Sequence, residues 1–123
     1  MIFNKQLLTK EEKWLNCILS VDTKYKDVII SQIMHSQIIR EYTNYYISLK
    51  FEVNKEKVCR LDVKRGVIIE MRLFKLHQAP IQFLLHAVHG YVSEFEIFHS
   101  DSTYLSSDII INDNDFIEII PNI

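Results

Sequence analysis

The spacing of apolar residues changes several times along the chain, and each change predicts an element. Thr9-Lys10-Glu11-Glu12 matches a capping box, in which the Thr9 hydroxyl accepts from the Glu12 backbone and the Glu12 carboxylate reaches back. Trp14, Leu15, Ile18 and Leu19 then recur at helical spacing, predicting a helix from Lys10 to about Ser20. Val21-Asp22-Thr23 reads as a break, with Asp22 or Thr23 capping a second helix. Its apolar stripe is Tyr25, Val28, Ile29, Gln32 and Ile33, running to about His35. Both helices are expected to lay one face on a sheet.

From Gln37 onward the period falls to two. Thr43-Asn44 is a hairpin turn between a strand holding Ile39 and Glu41 and a second one from Tyr45 to Val53. In the second strand Ile47, Leu49, Phe51 and Val53 face one way. Asn54 to Lys57 is a charged turn, Val58 to Val63 alternates less cleanly, and Lys64-Arg65-Gly66 is another turn before a strand from Val67 to Phe74. Ile81 to Val88 and Tyr91 to Phe98 flank His89-Gly90, the strongest hairpin signal, because glycine supplies positive φ without steric cost. Uninterrupted pairing would set Val88 against Tyr91, His86 against Ser93, Leu84 against Phe95 and Gln82 against Ile97. Glu94 and Glu96 would then share a face with Phe83 and Phe98 as an amphipathic acidic patch. After the turn at Ser100-Asp101-Ser102, the apolar runs Ile109 to Ile111 and Ile117 to Ile120 fit two short strands, or one strand and an extended segment. The expected fold is a single α+β domain over residues 1–123: two N-terminal helices packed on a mostly antiparallel sheet of about five strands.

Composition narrows the class. The chain has 123 residues, 48% hydrophobic, with two Gly and two Pro, which excludes disordered and low-complexity classes. No apolar run approaches the ~18 residues of a membrane span, and lysines interrupt the N-terminus, so a cytoplasmic location is expected. Charge changes the picture further. All 14 basic residues lie between Lys5 and Lys75, beside nine acids, giving +5. Residues 76–123 hold seven acids and no Lys or Arg, giving −7. Such a half repels nucleic acid and membrane phosphates and steers a basic partner.

Candidate chemistry is sparse. His86-Ala87-Val88-His89 lacks a third ligand, and on a strand its two histidines fall on opposite faces, so no metal is expected. Cys17 sits among apolar helix residues as a small hydrophobe, and Cys59 beside Arg60 has no acid–base partner nearby in sequence. Glycines 66 and 90 cannot build a phosphate-cradling loop, and no cofactor is expected. The basic cluster Lys57, Arg60, Lys64 and Arg65 reads as a solvated turn in preference to a nucleic-acid site. Glu94 and Glu96, or His86, are the acid–base candidates for a minor hydrolase; a small-ligand or regulatory module would line its pocket with His86, Tyr91, Tyr45 and Tyr46.

The stretch Phe83-Leu84-Leu85-His86-Ala87-Val88-His89-Gly90-Tyr91-Val92-Ser93-Glu94-Phe95-Glu96-Ile97-Phe98 resembles a family of short uncharacterised bacterial α+β proteins. These pair a Leu-Leu-His, variable, Gly-Tyr turn with a Ser-Glu-x-Glu strand. Leu8-Thr9-Lys10-Glu11-Glu12-Lys13, followed by Leu19-Ser20 and a second helix, is similar too, and the likeness spans residues 7–53 and 80–105. It departs at His89, where the family has an acid, and after Asp101. The resemblance implies fold more than activity. By type, the chain is also similar to immunity proteins of bacterial toxin systems, including contact-dependent growth inhibition. That implies a non-enzymatic immunity protein whose partner is a cognate toxin domain, a basic nuclease, with no nucleic acid or membrane partner. The expected contact residues are Glu94, Glu96, Asp101, Asp108, Asp113 and Asp115, with Tyr91, Phe98 and Tyr104 as anchors. The expectation requires these acids to gather on one exterior region free of compensating cations.

Overall fold

The computed structural model describes residues 4–123, the side chain of Arg65 excepted. Two helices, α1 (Thr9–Ile18) and α2 (Lys26–Met34), precede six strands: β1 (Ser36–Tyr42), β2 (Tyr46–Val53), β3 (Arg65–Phe74), β4 (Ile81–Val88), β5 (Tyr91–His99) and β6 (Phe116–Pro121). The strands form one antiparallel sheet in the order β1-β2-β5-β4-β3-β6. The fold is α+β with one strand more than expected. Val58 to Val63 joins the loop 54–64 and forms no strand, whereas Arg65 and Gly66, expected in a turn, open β3.

Period-two alternation sorts the sheet into two faces. Ile47, Leu49, Phe83, Leu85, Phe95, Ile97, Ile69, Met71 and Leu73 are completely buried and share a cluster with Trp14, Leu15, Ile18, Ile29 and Ile33 of the helices. The opposite face carries Ile39, Glu41, Tyr46, Ser48, Lys50, Leu84, His86, Glu94, Glu96, Phe98, Glu70, Arg72 and Glu118, in register from strand to strand.

The central hairpin turns at His89 and Gly90, both with positive φ (54° and 87°), the primed geometry that suits the twist of its strands. Val88 pairs with Tyr91 as expected, but a bulge between His86 and Ala87 then shifts the register, so His86 opposes Glu94 and Leu84 opposes Glu96. Uninterrupted pairing is therefore incorrect. The bulge puts Phe95 and Ile97 inward with Phe83 and Leu85, and Phe83 leaves the acidic face altogether. Interrupting the ladder costs about 1 kcal/mol of net hydrogen bonding. Burying one large apolar side chain contributes roughly 1.5–3 kcal/mol, so burial wins.

Two buried polar side chains fasten the helices. Glu11, fully buried, accepts from the Leu8 N–H (2.8 Å), from Arg40 Nη2 (2.9 Å) and Nε (3.0 Å), and from the Tyr42 hydroxyl (2.8 Å). The helix thus starts one residue earlier than the Thr9 capping box implies, with Glu11 in place of Glu12 reaching back. Gln32 on α2 donates to the carbonyls of Cys59 (2.7 Å) and Gly90 (3.0 Å) and accepts from Val92 N–H (2.8 Å), tying α2 to the loop 54–64 and the hairpin. The second helix itself begins at Lys26, after a turn in which the Thr23 hydroxyl accepts from Tyr25 N–H.

The tail resolves into an extended segment and one strand. Residues 100–115 are held to α1 and to the β1–β2 turn: Lys10 Nζ donates to Ser107 O, Trp14 Nε1 to Ile109 O (3.0 Å), and Leu105 N–H to Asn44 O (2.7 Å). Among the described residues no helix is long and apolar enough to cross a membrane.

Candidate functional site

The nine expected contact residues fall in three places. Glu94, Glu96 and Phe98 lie on the outer face of β5; Tyr91 lies at the hairpin tip; Asp101, Tyr104, Asp108, Asp113 and Asp115 lie on the segment 100–115. They do not form one acidic region, because the sheet face and the segment docked beside α1 are different surfaces. Nor are they all without partners. Glu96 lies 3.0 Å from His86 Nε2 and Asp115 holds Lys75 at 2.7 Å, while a further acid of the same half, Glu118, holds Arg72 at 2.8 Å. The basic first half thus folds back on part of the acidic second.

Within the segment the carboxylates serve local structure. The Thr103 hydroxyl and N–H bond Asp101 and hold its carboxyl below the ordinary range. Lys75 and the Asn112 N–H do the same for Asp115. Asp108, Asp113 and Tyr104 are exposed.

On the sheet face the arrangement is denser. One row across the strands reads Glu41, Ser48, Glu96, Leu84, Glu70; the next reads Ile39, Lys50, Glu94, His86; a third pairs Tyr46 with Phe98 beside Gln82 and Arg72. The Ser48 hydroxyl donates to Glu94 (2.6 Å), and the Tyr46 hydroxyl donates to Glu41 (2.7 Å), which raises the tyrosine's pKa. Glu41, Glu52, Glu70, Glu94, Glu96 and Glu118 share this face with Lys50 and Arg72 as the described cations. Ile39 is 52% exposed and Tyr46 37%. The acids from the first half, Glu41, Glu52 and Glu70, escape a reading based on chain halves. Their alternation with Arg40, Phe51 and Met71, inward-facing neighbours, is the signal that marks them.

The pocket expected around His86, Tyr91, Tyr45 and Tyr46 does not form. Tyr46 and Tyr91 stand at opposite ends of β5's pairing, Tyr91 under Lys55 (5.0 Å to the ring centroid), and Tyr45 is exposed in a turn. A depression of about 830 Å³ lies elsewhere, lined by Asn4, Gln6, His35, Gln37, Glu52 and Lys57 among others. His86 takes Glu96 as its partner while His89 is exposed in the turn, and no metal-ligating cluster occurs among the described residues. Cys17 is partly buried, which pushes its thiol pKa up, and Cys59 is exposed; neither forms a disulfide. Compared with protein-family models, curated proteins and solved structures, the chain matches none.

Proposed function

We propose that this protein is a non-enzymatic binding protein of the immunity type, which neutralises a basic toxin domain by docking it on the outer face of the sheet. Helices α1 and α2 form the layer over the inner face, and the outer face is left to the partner. The observation that carries the reading is the adjacency of Glu41, Glu94 and Glu96 to Ile39, Tyr46 and Phe98 on three contiguous strands. Aromatic anchors ringed by carboxylates suit a cationic protein surface: the rings supply desolvated contact and the charges speed encounter. A nuclease presents cations to phosphate, and an acidic surface competes for them. The segment acids Asp101, Asp108 and Asp113 then lie outside the contact.

The test is titration of the full chain against the C-terminal domain of the protein encoded immediately upstream, with growth on co-expression as the second readout. Saturable binding that weakens with salt, and restored growth, are expected. Absence of both rejects the proposal.

A further inference from the structure

The two edges of the sheet are treated differently. Along β1, side chains of the preceding segment occupy the free backbone groups: Asn4 Nδ2 donates to Ser36 O (2.7 Å), Gln6 Oε1 accepts from Ile38 N–H (2.9 Å), and Arg40 reaches back to Gln6 O. Along β6, no side chain among the described residues bonds the backbone of residues 116–121. An unpaired edge is a template for another strand.

The phase of that edge follows from the ladder. Asn122 N–H donates to Ile68 O (2.8 Å) in continuation of the β3–β6 register, so alternation turns the amides of Ile120, Glu118 and Phe116 toward β3. Those of Ile117 and Ile119 point outward, and Pro121, which has no N–H, takes the next outward position.

We infer that β6 is a self-pairing edge, joining two copies of this chain antiparallel about a two-fold axis through Glu118. Three features select that centre. A shift to Ile119 keeps the same number of hydrogen bonds but opposes Glu118 to Ile120 and Phe116 to Asn122 of the second copy, setting charged and polar groups against apolar ones on the outer face. A shift to Ile117 opposes Asp115, already committed to Lys75, to an inward isoleucine. The Glu118 centre exchanges bonds between Ile117 and Ile119 of each copy, with Phe116 against Ile120 on the outer face. Phe116, 66% exposed and edge-on to Phe74 (5.3 Å), gains cover. Glu118 meets its own copy, but each carries Arg72, so the row Arg72-Glu118-Glu118-Arg72 is neutral. Such an isologous contact is closed and stops at two.

A contact of one strand pair lies at the low end of interface size, so dimerisation is expected on the order of 10–100 µM. Sedimentation of the full chain over a concentration series reads it, hydrogen exchange shows whether the outward edge of β6 is the contact, and cross-linking supplies the register. The Ile117 and Ile119 amides should slow at least tenfold from dilute to concentrated protein, while Glu118 and Ile120 stay unchanged. Directly opposed residues of a non-hydrogen-bonded pair have Cα atoms ~4.5 Å apart, within disulfide reach. Glu118→Cys in a Cys59→Ser background should therefore cross-link at least tenfold faster than Phe116→Cys. A chain that stays monomeric at 1 mM overturns the inference; so does a dimer whose Ile117 and Ile119 amides exchange freely, or one that cross-links equally at both positions.

Discussion

Glu11 and Glu94 are carboxylates of the same type with opposite fates. Glu11 lies at 0% exposure and takes four donors from Arg40, Tyr42 and its own helix start. Glu94 stands half-buried on the outer sheet face with one hydroxyl, from Ser48, and Lys50 opposite it across the ladder. The difference teaches that an acid's number of internal donors separates a carboxylate that holds the fold together from one left on the surface better than its place in the sequence. Burial pushes the Glu11 carboxyl pKa up, but the Arg40, Leu8 and Tyr42 hydrogen bonds outweigh it, and the value sits below the usual carboxylate range. Burial and the bond to Glu11 push Tyr42 above its own.

The comparison breaks most forcefully at Glu11. Glu11→Ala leaves Arg40 and Tyr42 without their acceptor; Arg40 can turn to water, so the loss is expected at the lower end of the buried-pair range, about 3 kcal/mol by denaturant unfolding. Glu94→Gln with Glu96→Gln keeps an acceptor for Ser48 and His86 and should move the unfolding midpoint far less than Glu11→Ala, yet weaken partner binding about tenfold at low salt, read by calorimetric titration. Equal losses of stability from the two sites would erase the distinction. Gln32→Ala strands the Val92 N–H and the Cys59 carbonyl, while the Gly90 carbonyl keeps the Leu61 N–H, and should cost about 2 kcal/mol, with hydrogen exchange accelerated first at Val92.

pH sharpens the same contrast. The folded pKa of Glu11 is lowered, so its stabilisation is fully present above its ordinary value of 4.5 and disappears as pH falls through the lowered one. Thermal unfolding of the parent should therefore fall off below pH 4.5 more steeply than that of Glu11→Gln. Smallest of all, Asp108→Lys with Asp113→Lys should change stability by less than about 0.5 kcal/mol, as exposed sites do, and binding by less than about threefold.

Local pattern made much of the fold legible. The Ile47, Leu49, Phe51 and Val53 alternation marks β2, and His89-Gly90 marks the hairpin turn, since both depend on neighbours a few residues away. The bulge left a trace as well: Val92 to Phe95 is a step of three between inward apolar residues where a regular strand takes two. What pattern does not carry is pairing at long range. Glu11 meets Arg40 29 residues away, and Gln32 meets Val92 60 residues away, so neither role is visible in any window. The same reason scattered the expected site. Chain halves share a charge sign without sharing a surface, and Glu41 joined Glu96 only because β1, β2 and β5 are neighbours in space.

Trp14 has a practical consequence. It is the sole tryptophan, almost wholly enclosed, and its indole is tethered to the Ile109 carbonyl where the segment 100–115 meets α1. The molecule thus carries its own fluorophore at a single seam. Emission shifting to the red while far-ultraviolet dichroism holds steady would time the peeling of that segment, separately from collapse of the whole, without any attached dye.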